Sequence, residues 1–446
     1  MSQSADVLAS RLVGAGLSAA EGEAKASLFA GALAALGPST TDVRAWWVPG
    51  RIEFLGKHTD YAGGRSLLCA TERGFAVVAI PRGDRRIRVH DACSGERADG
   101  ELSADLVIPR DHWSNYPLTV CRRVARNFSG QLRGVDLAFA SDLPSAAGLS
   151  SSSALIVATF LALDDANGLS ERAEYGEAIR GAEDLAGYLG AVENGQSYRR
   201  LTGDHGVGTL GGSQDHTAIL CARSGALVQY AFAPVRFERE VALPDEHIFV
   251  IAASGVAAAK TGSAREQYNR AAERAVAALR AWRSATGSAA PTLAAVLTEA
   301  PNVVERLHVA VERCSDSPFS PALVRDRVDQ LRAELEIVQA AGDALARGDV
   351  GRLGALVDQS QANAERLLGN QVAETIELAR SARELGAVAA SAFGAGFGGS
   401  VYALVPTSEA DVFRGRWVEQ YSKAFPARAA NASFFMTRAG PCALRG

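Results

Sequence analysis

Three short stretches are rich in small residues, and the first also carries several charged ones. The first is Pro49-Gly50-Arg51-Ile52-Glu53-Phe54-Leu55-Gly56-Lys57-His58-Thr59-Asp60-Tyr61-Ala62-Gly63-Gly64. The second is Pro144-Ser145-Ala146-Ala147-Gly148-Leu149-Ser150-Ser151-Ser152-Ser153-Ala154, and the third is Gly394-Ala395-Gly396-Phe397-Gly398-Gly399-Ser400. A small-residue loop between a strand and a helix lets the backbone come close to a ligand. The free N–H groups at the helix start carry positive dipole character. That combination suits phosphate oxygens. Serine hydroxyls add hydrogen bonds or one ligand to a divalent cation. No Gly-Lys-Ser/Thr closes the loop, so the Walker pattern is absent. Each stretch also has a plainer reading: a serine N-cap, a solvated turn between strands, and a tight turn.

The flanking sequence supplies the elements that would position these loops. Residues 5–37 have helical spacing of Leu and Ala and stop at Gly37-Pro38. From Trp46 to Ile108 the pattern turns to strands, with Ala76–Ile80 and Ile87–His90 as β-rich runs around Pro81-Arg82-Gly83-Asp84. Val135–Ala140 reads as a strand that feeds the serine loop, and about 152–167 as the helix that leaves it. Residues 171–196 read as a second helix and 197–206 as a polar loop. Strands are expected again at 217–234 and 247–253. Helices are expected over 262–286, 291–313 and 320–381, and a last strand over Val401–Val405. A β-rich first half and a helix-rich second half predict an α+β chain of two lobes, 1–240 and 241–446.

Composition limits the partners. The chain has 446 residues, 46 Lys+Arg against 50 Asp+Glu, and a formal net charge of −4. No global basic field exists to hold nucleic acid or an acidic membrane, so an anionic ligand must be met by a local site. The six cysteines show no zinc-ribbon or thioredoxin spacing. They read as buried small hydrophobes in a reducing compartment. No basic n-region opens the sequence, and no apolar run is long enough to span a bilayer. The expectation is a cytoplasmic protein, a monomer or weak homo-oligomer, with no nucleic-acid or membrane partner.

In this order and spacing the three stretches resemble the GHMP small-molecule kinases, and the first narrows the likeness to galactokinase-like members. Gly50, Arg51, Gly56, His58, Asp60 and Tyr61 match that signature; Gly148-Leu149-Ser150-Ser151-Ser152 matches the phosphate motif. Gly394-Ala395-Gly396 with Gly398-Gly399 matches the third. Trp113-Ser114-Asn115-Tyr116 is similar to a segment near the nucleotide. Gly211-Gly212-Ser213-Gln214-Asp215 is similar to the turn that carries the catalytic aspartate. The resemblance implies a two-lobed fold, with a lobe like ribosomal protein S5 domain 2 followed by a ferredoxin-like, helix-rich lobe. It implies ATP and Mg²⁺ as cofactors and transfer of phosphate to the anomeric hydroxyl of a galactose-like sugar.

Residue by residue, it implies Asp215 and Arg51 as catalytic. Trp113, Asn115, Gly148, Leu149, Ser150, Ser151, Ser152 and Ser153 would meet the nucleotide. Lys57, His58, Asp60, Gly212 and Tyr268 would meet the sugar. Ser152 and Glu193, or else Glu183, would hold the metal. His216, beside Asp215, is expected to fill a position in the turn rather than act as a base. Two departures stand out: the family's Glu is Lys57 here, and its Asn is Glu53. A lysine cannot accept a hydrogen bond, so Lys57 suggests an acidic sugar such as a uronic acid as an alternative substrate. A catalytically silent sugar and ATP sensor is the alternative outside enzymes.

Overall fold

The computed structural model describes residues 5–37, 42–109, 111–258 and 262–446. Among these, seven strands come first: β1 (Arg44–Leu55), β2 (Arg65–Pro81), β3 (Arg86–Asp91), β4 (Arg97–Glu101), β5 (Val135–Ser141), β6 (Ala226–Ala231) and β7 (Arg236–Ala242). Then come β8 (His247–Ala253), β9 (Ala389–Phe393), β10 (Ser400–Pro406), β11 (Ser433–Thr437), β12 (Ala439–Gly440) and β13 (Leu444–Arg445). One sheet runs β13-β1-β2-β5-β3-β4, with β12 and β6 also on β2 and β7 on β6. The other runs β11-β8-β10-β9. Only the β3–β5 pairing is parallel among the described strands.

The second sheet is ferredoxin-like. Its chain order is β8, helix Ala373–Glu384, β9, β10, helix Ala410–Ala424, β11. The strands lie in the order fourth, first, third, second, as a split βαβ unit requires. The long helices Gly262–Thr286, Pro321–Ala346 and Val350–Asn363 are inserted between β8 and its first helix. The expected two-lobed α+β architecture is therefore present. The chain end, however, crosses back. Trp47 of β1 pairs with Leu444 and Ala70 of β2 pairs with Gly440.

β1 is covered on both faces, which explains its nearly unbroken burial. Side chains alternate across a strand, so the adjacent tryptophans part company. Trp46 joins the main core with helices Asn115–Asn127 and Ser151–Asn167. Trp47, fully buried, joins Leu8, Leu12 and Phe29 of the two N-terminal helices. Both are core residues. The same period of two puts Arg51 and Glu53 on one face, further along the strand, with Ile52 in the core.

Two local expectations are corrected. Residues 5–37 form two helices, Ala5–Gly14 and Ala19–Leu36, because Gly16 turns the chain with φ of 111°. Residues 217–221, read as strand, belong to helix Gln214–Cys221. The alternating pattern there is that of a helix buried on most sides, with Thr217, Ala218 and Ile219 inaccessible. Among the described residues no helix is long and apolar enough to cross a membrane.

Candidate active site

Two cavities adjoin where β1, the serine loop and the third glycine loop meet. The inner one is lined by Arg51, Glu53, His58, Asp60, Glu193 and Asp215, with Tyr268 and Gly212 among its other walls. The outer one is lined by Trp113, Tyr116, Gly148, Ser150, Ser151 and Ser152, with His112 and Ala258 nearby. Arg51 and Ala395 line both.

Arg51 is the hinge of this arrangement. It is 3% exposed. Its Nε and Nη2 both reach Asp215 Oδ1, at 2.8 and 2.7 Å. Its Nη1 donates to the carbonyl of Gly148 at 2.5 Å. One guanidinium thus locks the aspartate to the phosphate-type loop, as a planar fork can and an ammonium cannot. Asp215 sits in the first turn of its helix, where the backbone dipoles favour negative charge.

Glu193 ends helix Ala182–Asn194 and is 4% exposed. Asn194 Nδ2 donates to the Gly211 carbonyl at 2.8 Å, and Val207 N to the Glu193 carbonyl at 2.8 Å. These bonds tie the helix end to the turn before Asp215. The intervening polar segment is itself anchored, with Arg122 Nε donating to Asp204 at 2.8 Å. The two carboxylates then share one hydroxyl. Ser153 Oγ lies 2.8 Å from Glu193 Oε2 and 3.4 Å from Asp215 Oδ2. That serine is Ser153, whereas Ser152 is half-buried in the wall of the outer cavity. Glu183, at the other end of its helix, is not among the inner lining residues. His216 is 1% exposed and places Nε2 3.3 Å from Glu193 Oε2, so it backs that carboxylate.

The serine loop has a backbone conformation that suits an anion. Ala146, Gly148 and Ser150 all have positive φ, at 50°, 76° and 62°. Alternation of this kind turns backbone N–H groups toward a common centre. Ser150 precedes the helix but does not cap it with its side chain. The plain N-cap reading is therefore not what the loop does. Leu149 is a core residue, and its carbonyl accepts from Arg51 N at 3.3 Å. Trp113 presents to the outer cavity, and its indole Nε1 has no hydrogen-bond partner. Asn115 does not face the cavity. Its amide donates to the Val207 carbonyl at 3.2 Å and accepts from Thr119 Oγ1 at 3.1 Å, so its polar capacity is spent on the scaffold.

His58 has φ of 56° and faces the inner cavity. Its Nε2 lies 3.0 Å from the Ala395 carbonyl and its Nδ1 2.8 Å from Tyr61 Oη. A carbonyl only accepts, so Nε2 carries the proton and Nδ1 accepts from the tyrosine. Burial pushes the Tyr61 hydroxyl up to about 12, which keeps it a donor. Asp60 Oδ2 accepts from Gln214 N at 3.1 Å. Tyr268 closes the other side, its ring centroid 5.0 Å from that of His58.

Lys57 departs from its expected place. It is 1% exposed and absent from the cavity wall. Its ammonium donates to Ser391 Oγ at 2.7 Å and Ser360 Oγ at 3.2 Å, inside the second lobe. Glu334, fully buried, accepts from the backbone N–H of Gly56 at 2.8 Å and of Lys57 at 3.2 Å. The acidic-sugar alternative loses its motivating contact. The inner cavity instead carries four carboxyl groups, on Glu53, Asp60, Glu193 and Asp215. Sequence reasoning missed Glu53, Gln214, Gly394 and Ala395 as lining residues. The signal for Glu53 was its spacing of two from Arg51 along a strand.

Known proteins resemble this chain in sequence and in fold. The chain matches the model of the GHMP kinases N terminal domain over 115–192 and that of the GHMP kinases C terminal region over 343–423. The galactokinase galactose-binding signature matches over 37–81. Galactokinases of Chloroflexus aggregans and Roseiflexus sp. are each 30% identical, over 86% and 84% of this chain and 89% and 87% of theirs. In fold, it is similar to Lactococcus lactis galactokinase complexed with galactose, with a TM-score of 0.74 at 22% identity over 92% of this chain and 97% of that one. With signature, relatives and fold in agreement, the chain belongs to the GHMP kinase family, on its galactokinase-like branch.

Proposed function

We propose that this phosphotransferase moves the γ-phosphoryl group of ATP to the anomeric hydroxyl of galactose or a closely similar neutral sugar. The observation that carries the reading is the shared wall. Arg51 borders both the enclosed carboxyl-lined cavity and the loop-lined one. A hydroxyl held in the first and a phosphate held in the second would meet beside Arg51 and Asp215. Catalysis of phosphoryl transfer is mostly positioning and charge stabilisation. In this reading the lobe up to residue 240 supplies the sugar and phosphate contacts, and the lobe from 241 supplies the third glycine loop.

The sugar oxygen attacks phosphorus, the bond to the ADP oxygen breaks, and the hydroxyl proton passes to Asp215 Oδ2. Arg51 holds that carboxylate in place and faces the charge that moves onto the phosphoryl oxygens. The N–H groups of residues 148–153 receive the other phosphates, and Trp113 covers the base or ribose. Hard oxygen donors suit Mg²⁺. Glu193, with a hydroxyl of Ser152 or Ser153, fits it, since a buried carboxylate and a serine already converge at 2.8 Å. When bound, the ion would neutralise phosphate charge. His58, Asp60, Gly212 and Tyr268 would hold the sugar, and a wrong epimer would leave one of these buried groups unpaired.

The test is ADP release across neutral and acidic sugars, with the product examined by phosphorus-coupled NMR. Turnover of galactose to a product whose anomeric proton couples to phosphorus is expected. ADP release unaffected by every sugar, or phosphate on another carbon, would overturn the reading.

Gly212 gives a sharper local expectation. A Cβ there would lie 2.5 Å from Asp60 Oδ2 and 2.8 Å from the Tyr61 nitrogen. Overpacking of this kind costs about 1–3 kcal/mol. Gly212→Ala should raise KM for the sugar by about 10-fold while KM for ATP stays within about twofold. Equal rises in both would show that the turn does not serve the sugar side.

A further inference from the structure

Glu53 is the least explained group in the inner cavity. It is 2% exposed, lines the cavity, and its Oε1 has no hydrogen-bond partner. An unsatisfied buried carboxyl oxygen is costly and needs a reason. Packing does not supply one, since Ile52 and Phe54 on either side carry the core contacts. Ion pairing does not supply one either. Arg51 is committed to Asp215 and the Gly148 carbonyl. The Lys57 ammonium is committed to Ser360 and Ser391.

We propose that Glu53 is a sugar-recognising residue, whose carboxyl hydrogen-bonds a hydroxyl of the bound sugar and thereby takes over a contact that Lys57, turned away, does not make. The proposal rests on the functional reading above and names one more specificity contact of the same site. Two sequence departures then become one exchange. The acidic function moves two residues past Arg51, onto the strand face that the cavity sees. The basic residue moves into the interior behind it.

The protonation state fits a neutral ligand. Burial is the largest influence on Glu53, and it outweighs the nearby positive charges of Lys57 and Arg51. The carboxyl is pushed up to about 8. At neutral pH it carries a proton, so it can donate through one oxygen and accept through the other. A sugar hydroxyl is the complementary partner. A sugar carboxylate would face three further carboxyl groups in the same wall.

The test couples enzyme and substrate changes. kcat/KM is measured for galactose and for its 2-, 3-, 4- and 6-deoxy analogues with the wild type, Glu53→Gln and Glu53→Ala. With the wild type, one deoxy analogue should lose about 10- to 100-fold through its missing bond to Glu53. With Glu53→Ala, galactose should lose a similar factor, and that one analogue should lose no more than about threefold further. Glu53→Gln, which mimics the protonated carboxyl, should stay within about fivefold of the wild type on galactose. Glu53→Leu repeats the measurement if the alanine variant does not fold. A uniform loss across galactose and every analogue would overturn the proposal. So would a glutamine variant as damaged as the alanine one. Wild-type inactivity on galactose would instead overturn the functional reading.

Discussion

Asp215→Asn should lower kcat by about 10²- to 10⁴-fold while KM for ATP changes by less than about threefold. The substitution keeps the shape of the side chain but removes its ability to take a proton, and general-base groups contribute in that range. It also leaves Arg51, almost fully buried, without the carboxylate that two of its nitrogens now meet. On the proposed reading, in which Arg51 faces the reacting phosphoryl group and the serine loop holds the nucleotide, the loss should appear in kcat and nucleotide binding should survive. Steady-state kinetics and a fluorescent-nucleotide titration read the two effects separately. An asparagine variant that turns over at more than about a tenth of the wild-type rate would show that neither proton transfer nor charge placement at this residue limits the reaction.

Glu334→Ala should cost about 3–5 kcal/mol of stability, read as a lower urea midpoint. Glu334 is fully buried on helix Pro321–Ala346. It accepts from two backbone N–H groups of the Gly56–Lys57 turn and from Ser360 at 2.9 Å. The same helix reads that turn twice more. Gln330 donates to the Lys57 carbonyl at 3.1 Å and Arg327 to the His58 carbonyl at 2.5 Å. Removing the carboxylate orphans the Gly56 and Lys57 N–H groups and the Ser360 hydroxyl, and strips the largest favourable charge from Lys57, whose own ammonium is already disfavoured by burial. The double variant Glu334→Leu with Lys57→Met should recover a good part of the loss, since replacing both charges avoids leaving one alone. A single alanine variant within about 0.5 kcal/mol of the wild type would mean the network is decorative.

Residues 144–154 were legible as a small-residue loop between a strand and a helix because the signal is local. Gly148 adopts its positive φ freely, whereas Ala146 and Ser150 carry a Cβ there and the loop is held by distant partners, Ala258 N on the Ala146 carbonyl at 2.9 Å and Arg51 on the Gly148 carbonyl. Arg51 and Asp215 were legible by resemblance, and the ion pair between them joins segments 164 positions apart. Lys57 was read wrongly for a physical reason. The β1–β2 register shifts between Glu53 and Leu55, so residues past that point no longer follow the alternation that Arg51 and Glu53 obey. Whether a lysine there faces the cavity then depends on Glu334, Ser360 and Ser391, which lie far along the chain. Asn115 failed similarly: its partner, the Val207 carbonyl, belongs to a segment whose path is set by Asp204 and two arginines. Secondary structure misled where burial was uniform, as at 217–221, and where one helical pattern hid a break, as at Gly16 and between Ala178 and Ala182.

The return of residues 439–445 to the first sheet has a consequence for biosynthesis. β12 and β13 pair with β2 and β1, so the pairing of that sheet is completed by segments made after the second sheet. Chains emerge at about 5–20 residues per second. The strand that carries Arg51 and Glu53 therefore waits some tens of seconds with part of its edge unpaired. Open edges invite wrong partners. The first sheet reaches its full pairing only after the second has been synthesised.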